Sequence, residues 1–437
     1  MSDVMDQTLS SLDGQRAESD AMLLLVGLGS PERNFAHAGA VVPLVEVRCV
    51  RFGRAKGETY ESRRLDDALE LSIPLPWVSS RHAELWLDQQ KLRLVDHGSR
   101  NGTYVEGHAV GPERSVAPGQ VLEVGRSFWT IRRVRRSMYH EPSDALPRMA
   151  NPEVRQLHRT LARLAPSNVP ILITGETGTG KEHLARTIHE QSGRHGPFVT
   201  INVAAGAIDR MLHGSQRLRD ARGGTLYLDD VGELAPDEQT KLTSTLMSYV
   251  PNEWQLEPAE DAELRLISSS TRDLRAMVNA CTFRPDLMAR LAGFEARLPP
   301  LRARREDLGA LALDVLREEH PGPPPQLTTE VFRSLLGHPW PFNLRELRHT
   351  LSAAARLAEG EPARIDPDVW GRAAWTVEGG EPTPTRIEAV RSELVQQLAR
   401  HRGQLSAVAA ALQCEIEDIR RWADRFSLQP ERYHETG

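Results

Sequence analysis

At 437 residues the chain is too long for a single domain, and a composition of 40% hydrophobic and 26% charged residues is that of an ordinary globular protein. A formal net charge of -6 excludes a basic surface over the whole molecule, so any nucleic-acid contact has to come from a local patch. The three cysteines, Cys49, Cys281 and Cys414, are widely separated and have no histidines at ligand spacing, which excludes a disulfide framework and a zinc cluster.

Residues 1–38 show no sustained periodicity and read as a flexible arm; Met22 to Val26 is the one apolar run in it. The start is polar and acidic, without a basic leader, and no stretch anywhere reaches the roughly 18 apolar residues of a membrane span. A cytoplasmic protein with no membrane partner is expected. From Val41 to Val134, short alternating segments such as HAELWLD, KLRLVD and SFWTIRRV are separated by glycine turns. They predict an all-β sandwich of about ten or eleven short strands within a domain spanning 39–135. Residues 136–150 are polar and read as a linker. The helical VRQLHRTLARLA then leads to the apolar run Val169 to Thr174, a glycine loop and the helical KEHLARTIHEQS. With the apolar segments PFVTINV, GGTLYLDD and ELRLISSST, this order predicts an α/β nucleotide-binding unit with a parallel sheet over 151–305. Residues 306–375 read as a helical lid, 376–385 as a second linker, and 386–428 as an all-α tail.

The glycine loop carries the first chemistry. Gly175, Glu176, Thr177, Gly178, Thr179, Gly180 and Lys181 follow an apolar strand and open a helix. Glycines let backbone N–H groups curl around phosphates, the helix start adds a positive dipole, and Lys181 supplies a cation. Only four of the 54 basic residues are lysines, which makes this one conspicuous. Glu182 stands where most such loops place a hydroxyl for the metal. The strand GGTLYLDD ends in Asp229, a candidate for orienting Mg2+, and Asp230, a candidate for activating water. Asp230 is one methylene shorter than the usual glutamate, so binding of ATP with Mg2+ is better supported than fast hydrolysis.

The segments GETGTGKE, FVTIN, GGTLYLDDVGEL, FRPDLMARL, LPPLRARREDL and WPFNLRELRHT, in this order, closely resemble the AAA+ domain of bacterial enhancer-binding proteins, the sigma-54-dependent activators. The similarity covers roughly 150–375. It implies an ATPase active as a ring, with Asn202 restraining the acidic catalyst, Arg284 and Arg290 as fingers reaching a neighbour's nucleotide, and Arg345 as the sensor arginine of the lid. This chain departs from the family in two further places. The interval AAGAIDRMLHGSQRLRDAR has no GAFTGA loop, the element that pushes on sigma-54. The strand SSST puts Ser270 and Thr271 where the family usually has AATN, leaving Thr271 at the first sensor position. A standard sigma-54 remodeller, and RNA polymerase contact through that loop, are therefore not expected.

Over about 40–134 the sequence resembles a forkhead-associated (FHA) domain, through Gly53-Arg54, Val78-Ser79-Ser80-Arg81-His82-Ala83 and Asp96-His-Gly-Ser-Arg-Asn101-Gly102-Thr103. The resemblance implies a phosphothreonine-containing protein partner held by Arg54, Ser79, Ser80 and Asn101, with Arg81 indirect and His82 bracing the loop. The tail, QLSAVAAALQ followed by EIEDIRRWADRF, resembles a Fis-type helix-turn-helix, implying dimerisation and DNA contact by Arg420, Arg421 and Arg425. Eight arginines against eight acidic residues over 386–437 keep electrostatic attraction modest. The combined reading is a transcriptional regulator that binds ATP, a phosphothreonine partner and DNA. A nucleotide-regulated phosphopeptide scaffold without a DNA role and an atypical sigma-54 activator are the alternatives.

Overall fold

The computed structural model describes residues 21–373 except 58, 89–90, 140–148, 204–220, 250–263, 320–321 and 361–362. Beyond 373 it describes only 397–398, 400–401, 403–405 and 407–408. The chain divides into two units, Met1–Ala374 and Trp375–Gly437. In the second, Leu398 and Val408 are buried; of the expected helix-turn-helix only 404–405 and 407–408 are described, and Arg420, Arg421 and Arg425 lie outside the described residues.

The first unit opens with β1 (Ala21–Gly29), which pairs antiparallel with β12 (Ser127–Arg135) from Ala21 opposite Arg135 to Gly27 opposite Trp129. This corrects the flexible-arm reading over 21–38. The strand AMLLLVGLG has no alternation because both of its faces are covered. Leu25 enters the sandwich core, Leu24 and Val26 lie under Ala150 and Val134, and Leu28 points into the lid. Ala150, expected in a linker, is fully buried there.

Ten further strands complete the sandwich: β2 (Val41–Pro43), β3 (Cys49–Arg54), β4 (Glu61–Leu65), β5 (Ala68–Ile73), β6 (Ala83–Asp88), β7 (Lys91–Asp96), β8 (Thr103–Val105), β9 (His108–Ala109), β10 (Arg114–Val116) and β11 (Val121–Val124). They form two six-stranded sheets, ordered β2-β1-β12-β11-β8-β9 and β10-β7-β6-β3-β5-β4. Phe52, Leu71, Leu85, Leu94, Leu122 and Trp129 fill the space between them.

The α/β domain is a five-stranded parallel sheet in the order β14 (Phe198–Asn202), β15 (Thr225–Asp229), β16 (Arg265–Ser270), β13 (Ile171–Thr174), β17 (Phe294–Arg297). Its strands are apolar runs because helices cover both faces. The helix α1 (Pro152–Leu164) precedes β13, α2 (Lys181–Glu190) follows it, and α3 (Pro236–Tyr249), α4 (Leu274–Asn279) and α5 (Pro285–Leu291) complete the domain. Asn151 caps α1 by accepting from the Val154 amide at 2.9 Å. The lid comprises α6 (Leu308–Glu319), α7 (Thr329–Gly337), α8 (Asn343–Leu357) and α9 (Pro367–Ala373).

Sandwich and lid share one apolar core. Leu28, Phe35, Val121 and Phe128 pack with Leu308, Ala312, Leu335, Phe332 and Trp340. Phe332 meets Phe35 and Phe128 edge-on, with ring centroids 5.1 and 5.0 Å apart. Gly309 permits the approach, since a Cβ there would sit 1.9 Å from the Leu28 carbonyl oxygen. Around this core Arg333 takes Glu123 with two 2.7 Å bonds, Arg132 meets Glu306 at 2.7 Å and Arg305 meets Glu106 at 3.2 Å. The segment after β1 holds Asn34, Phe35 and His37 at φ of 49°, 55° and 61°. These left-handed conformations in non-glycine residues persist because packing fixes them: Phe35 lies against the lid, and the His37 ring stacks on Trp129 at 4.6 Å.

Candidate functional site

The phosphate loop lies between β13 and α2, at the carboxyl edge of the parallel sheet. Gly175, Gly178 and Gly180 all have positive φ, of 155°, 76° and 101°. The backbone N–H groups of Thr177, Gly178 and Gly180 donate to no acceptor among the described residues. Lys181 is buried and curls back, donating to the Gly175 and Glu176 carbonyls at 3.0 and 3.1 Å. Burial pulls its pKa below the usual lysine value, while Asp230 and Asp229 oppose the shift. An ammonium bonded only to carbonyls and facing two carboxylates, beside a ring of open N–H donors, fits a polyphosphate.

Asp229 ends β15, and Asp230 follows it with φ 61°. Asp229 Oδ1 accepts from Ser269 Oγ at 2.7 Å and from Tyr227 OH at 3.0 Å. Ser269 Oγ in turn accepts from the Asp230 amide at 3.0 Å. Thr271 donates to the Asp230 carboxylate from its amide at 2.9 Å and from its hydroxyl at 3.0 Å. Thr271 thus meets the carboxylate itself. Asn202 stands opposite Asp229 in the β14–β15 register. No cluster of three or more His, Cys, Asp or Glu able to hold a metal occurs among the described residues. Mg2+ is more often held by one or two carboxylates together with substrate phosphates, and the Asp229/Asp230 pair suits that arrangement.

The lid closes on the loop. Phe342 O lies 2.2 Å from where a Gly178 Cβ would be, and the Leu344 amide donates to Gly178 O at 2.9 Å. Fully buried Asn343 gives its Nδ2 to Thr177 O at 3.0 Å and accepts from the Leu301 amide at 2.7 Å. Arg304 donates to Thr179 O at 2.9 Å. Arg302 forks onto Glu176 at 2.5 and 2.8 Å, and this bond, with Asn343, holds the Glu176 carboxyl below its usual range. Asn343, Arg302 and Arg304 were not legible as site residues, since they act across more than a hundred residues of chain. Glu176 serves this clasp, and Thr179 bonds back to Glu176 O at 2.8 Å. Glu182 pairs with Arg186 at 2.8 Å along α2. Arg345 sits exposed above Lys181, close enough to lower its pKa. Arg284, at the start of α5, forks onto Asp286 two residues on, and Arg290 lies in the last turn of that helix.

At the sandwich end, the strands β3, β5, β6, β7 and β8 bring the second set of residues together. The Arg54 amide donates to Ser79 O at 3.1 Å; its guanidinium is exposed and bonds no group among the described residues. Gly53 is required, because a Cβ would lie 2.5 Å from Ser80 O. Ser79 Oγ accepts from the Arg100 amide at 3.2 Å, and Asn101 Nδ2 donates to Trp77 O at 2.8 Å. The buried His82 accepts the Ser79 amide at Nδ1 (3.0 Å) and therefore donates from Nε2 to Gly102 O (3.1 Å). Burial lowers its pKa and keeps the ring neutral. Asp96 draws Ser99 and Thr103 together below the loop, and those bonds hold its carboxyl below the usual range despite burial. Arg81 is exposed and leans on Glu84 at 3.4 Å. Arg51, Gly53, Arg54, Ser80, Arg81 and Glu84 line a groove of about 420 Å3. Arg100, an exposed residue whose backbone amide bonds Ser79, is a candidate missed from the sequence; it lies inside the loop motif already recognised.

The chain thus combines a parallel α/β nucleotide fold of the AAA+ kind, clasped by a helical lid, with an FHA-like sandwich ahead of it. Residues 148–297 match the sigma-54 interaction domain, 302–368 the AAA+ ATPase lid domain, and 50–125 the FHA domain. The chain matches bacterial enhancer-binding proteins of the NtrC kind. It is 34% identical over 234 residues to the DNA-binding transcriptional regulator NtrC of Bradyrhizobium sp. (strain RP501 Parasponia), covering 49% of each chain. It is 36% identical over 216 residues to the regulatory protein LuxO of Vibrio cholerae, covering 45% of this chain and 41% of that one. The chain spans about half the length of these relatives. Among solved structures, NtrX from Brucella abortus in complex with ATP shares 29% identity at a TM-score of 0.46, covering 65% of this chain and 69% of that one. No helix among the described residues is long and apolar enough to cross a membrane. The interval 204–222, read as lacking the sigma-54 contact loop, lies almost wholly outside the described residues.

Proposed function

We propose that the protein is a cytoplasmic transcriptional regulator whose AAA+ module binds ATP with Mg2+, whose sandwich binds a phosphothreonine partner, and whose carboxy-terminal helices bind DNA. The observation that carries this reading is the phosphate loop itself, with open backbone donors around a buried lysine and two strand-end carboxylates facing it. On this reading Lys181 and the loop amides hold the β- and γ-phosphates, and Arg345 adds positive charge from the lid. Asp229, fixed by Ser269 and Tyr227, orients the metal, which when bound neutralises phosphate charge. Asp230 is the general base for water. Thr271 holds its carboxylate through two donors, and the side chain is short, so turnover is slow relative to binding. Arg284 and Arg290 are the residues offered to a neighbouring subunit of a ring. The sandwich reading rests on Arg54, Ser79, Ser80 and Asn101 converging at one end with an unspent guanidinium.

Nucleotide affinity and ATP turnover, measured on the full chain and on Lys181→Ala at several protein concentrations, test the proposal. Lys181-dependent binding with slow, concentration-dependent turnover supports it; binding unaffected by the substitution overturns it. Absence of sequence-selective DNA binding would favour the phosphopeptide scaffold instead.

A further inference from the structure

We propose that the phosphothreonine-recognition loops and the phosphate loop are reciprocally linked sites, and that Arg333 of the lid carries one of the two routes between them. This deepens the function proposed above and rests on it. The sandwich is not tethered to the AAA+ module; it is packed into the lid, and contacts run from one site to the other without a break.

Two routes leave the recognition end and meet on α7. In the first, Gly102 of the recognition loop lies under the Tyr104 ring, whose atoms are 3.1–3.3 Å from where a Gly102 Cβ would be. The Arg333 guanidinium covers the Tyr104 ring at 5.3 Å and forks onto Glu123, whose side chain is 4% exposed. In the second, Asn101 bonds the carbonyl of Trp77, whose ring lies 5.2 Å under the Arg126 guanidinium. Arg126 bonds both oxygens of Glu32 at 3.1 Å, and Glu32 accepts from Thr329, the first residue of α7, at 2.8 Å.

From α7 the connection continues to the nucleotide loop. Trp340 Nε1 donates to Leu335 O in the last turn of α7 at 3.0 Å, and the Asn343 amide donates to Trp340 O at 2.9 Å. Asn343 then bonds Thr177 O, and Leu344 bonds Gly178 O. Every group on this path is engaged at both ends. Close-packed interiors of this kind shift between discrete arrangements instead of absorbing a displacement locally. Phosphates entering the loop alter the groups that Asn343 and Leu344 hold, and a phosphopeptide on Asn101 and Arg54 alters those that Tyr104 and Trp77 hold. Thermodynamic linkage makes the two effects equal in binding free energy.

The test is hydrogen–deuterium exchange on the full chain with and without a non-hydrolysable ATP analogue, reading residues 77–82, 97–105 and 175–181. The expected result is protection of 175–181 together with altered exchange rates at 77–82 and 97–105. In Arg333→Ala the first response remains, the response at 102–105 on the Tyr104 route is lost, and that at 77–82 on the Trp77 route is retained. Glu123→Gln, which keeps a hydrogen-bonding partner for the guanidinium, should weaken the response at 102–105 in the same direction if Arg333→Ala proves unstable. A degenerate phosphothreonine peptide pool, with its unphosphorylated counterpart as control, gives the reciprocal reading: nucleotide affinity should change about fivefold or more. Protection of 175–181 with 97–105 unmoved overturns the linkage alone. No protection at 175–181 overturns the nucleotide reading and the linkage with it. A pool that does not bind overturns the phosphopeptide reading, while the exchange response still decides the coupling between the loops.

Discussion

Thr271 spends two donors on Asp230, so its side chain steers that carboxylate. Asp230→Asn is expected to remove ATP turnover while changing nucleotide affinity less than about threefold, because the carboxylate contributes mainly to the reaction. Lys181→Ala is expected to weaken nucleotide binding by about 30-fold or more, the scale of losing one partner from a buried charged contact. Both are read by equilibrium binding of a fluorescent ATP analogue alongside phosphate release. The histidines of the sandwich give a pH dependence. His37, stacked on Trp129 with Nδ1 shut away from partners, is pushed down to about 3 by burial, and His82 is lowered for the same reason. Both rings are neutral in the fold and take up a proton, at the ordinary value of 6.5, when it opens. Their stabilisation is therefore complete above that value and is lost as pH falls from 6.5 toward the folded values. Calorimetric melts should show the first unit losing on the order of 1–2 kcal/mol through His37 by pH 5, and His37→Gln should flatten the profile.

At the scale of elements, legibility followed locality. The phosphate loop could be read because phosphate chemistry demands its glycines and lysine within one turn of chain, and the carboxylates because they end a strand. The FHA-like loop could be read for the same reason, its bracing histidine included. β1 escaped because the usual signal of a strand, alternation, vanishes when the sandwich core covers one face and the lid and Ala150 cover the other. The clasp of Arg302, Arg304 and Asn343 escaped because its partners lie 125–167 residues away, a pairing no local pattern encodes. The same holds for Gly309, which in sequence is one more small residue in a helix. Gly309→Ala is expected to cost about 1–3 kcal/mol by forcing α6 away from Leu28, the usual range for overpacking. Thermal unfolding measures the loss, and exchange at β1 and α6 locates it.

At the scale of the whole molecule, the Arg284 fork is occupied by Asp286 within its own helix, and both side chains stand at the surface. A neighbouring subunit would have to draw that guanidinium away from its local partner, an exchange that becomes favourable only at an assembled interface. Turnover per chain should therefore rise steeply with protein concentration, and Arg290→Ala or Arg284→Ala should abolish the rise while leaving nucleotide binding intact. Sedimentation measured with the same samples separates failed assembly from failed catalysis. The shared core of sandwich and lid has a further consequence, for modularity. A different domain grafted ahead of Asn151 would take Phe35 and Phe128 from Phe332 and leave Arg333 without its carboxylate, so this sandwich and this lid can be inherited, duplicated or replaced only as a pair.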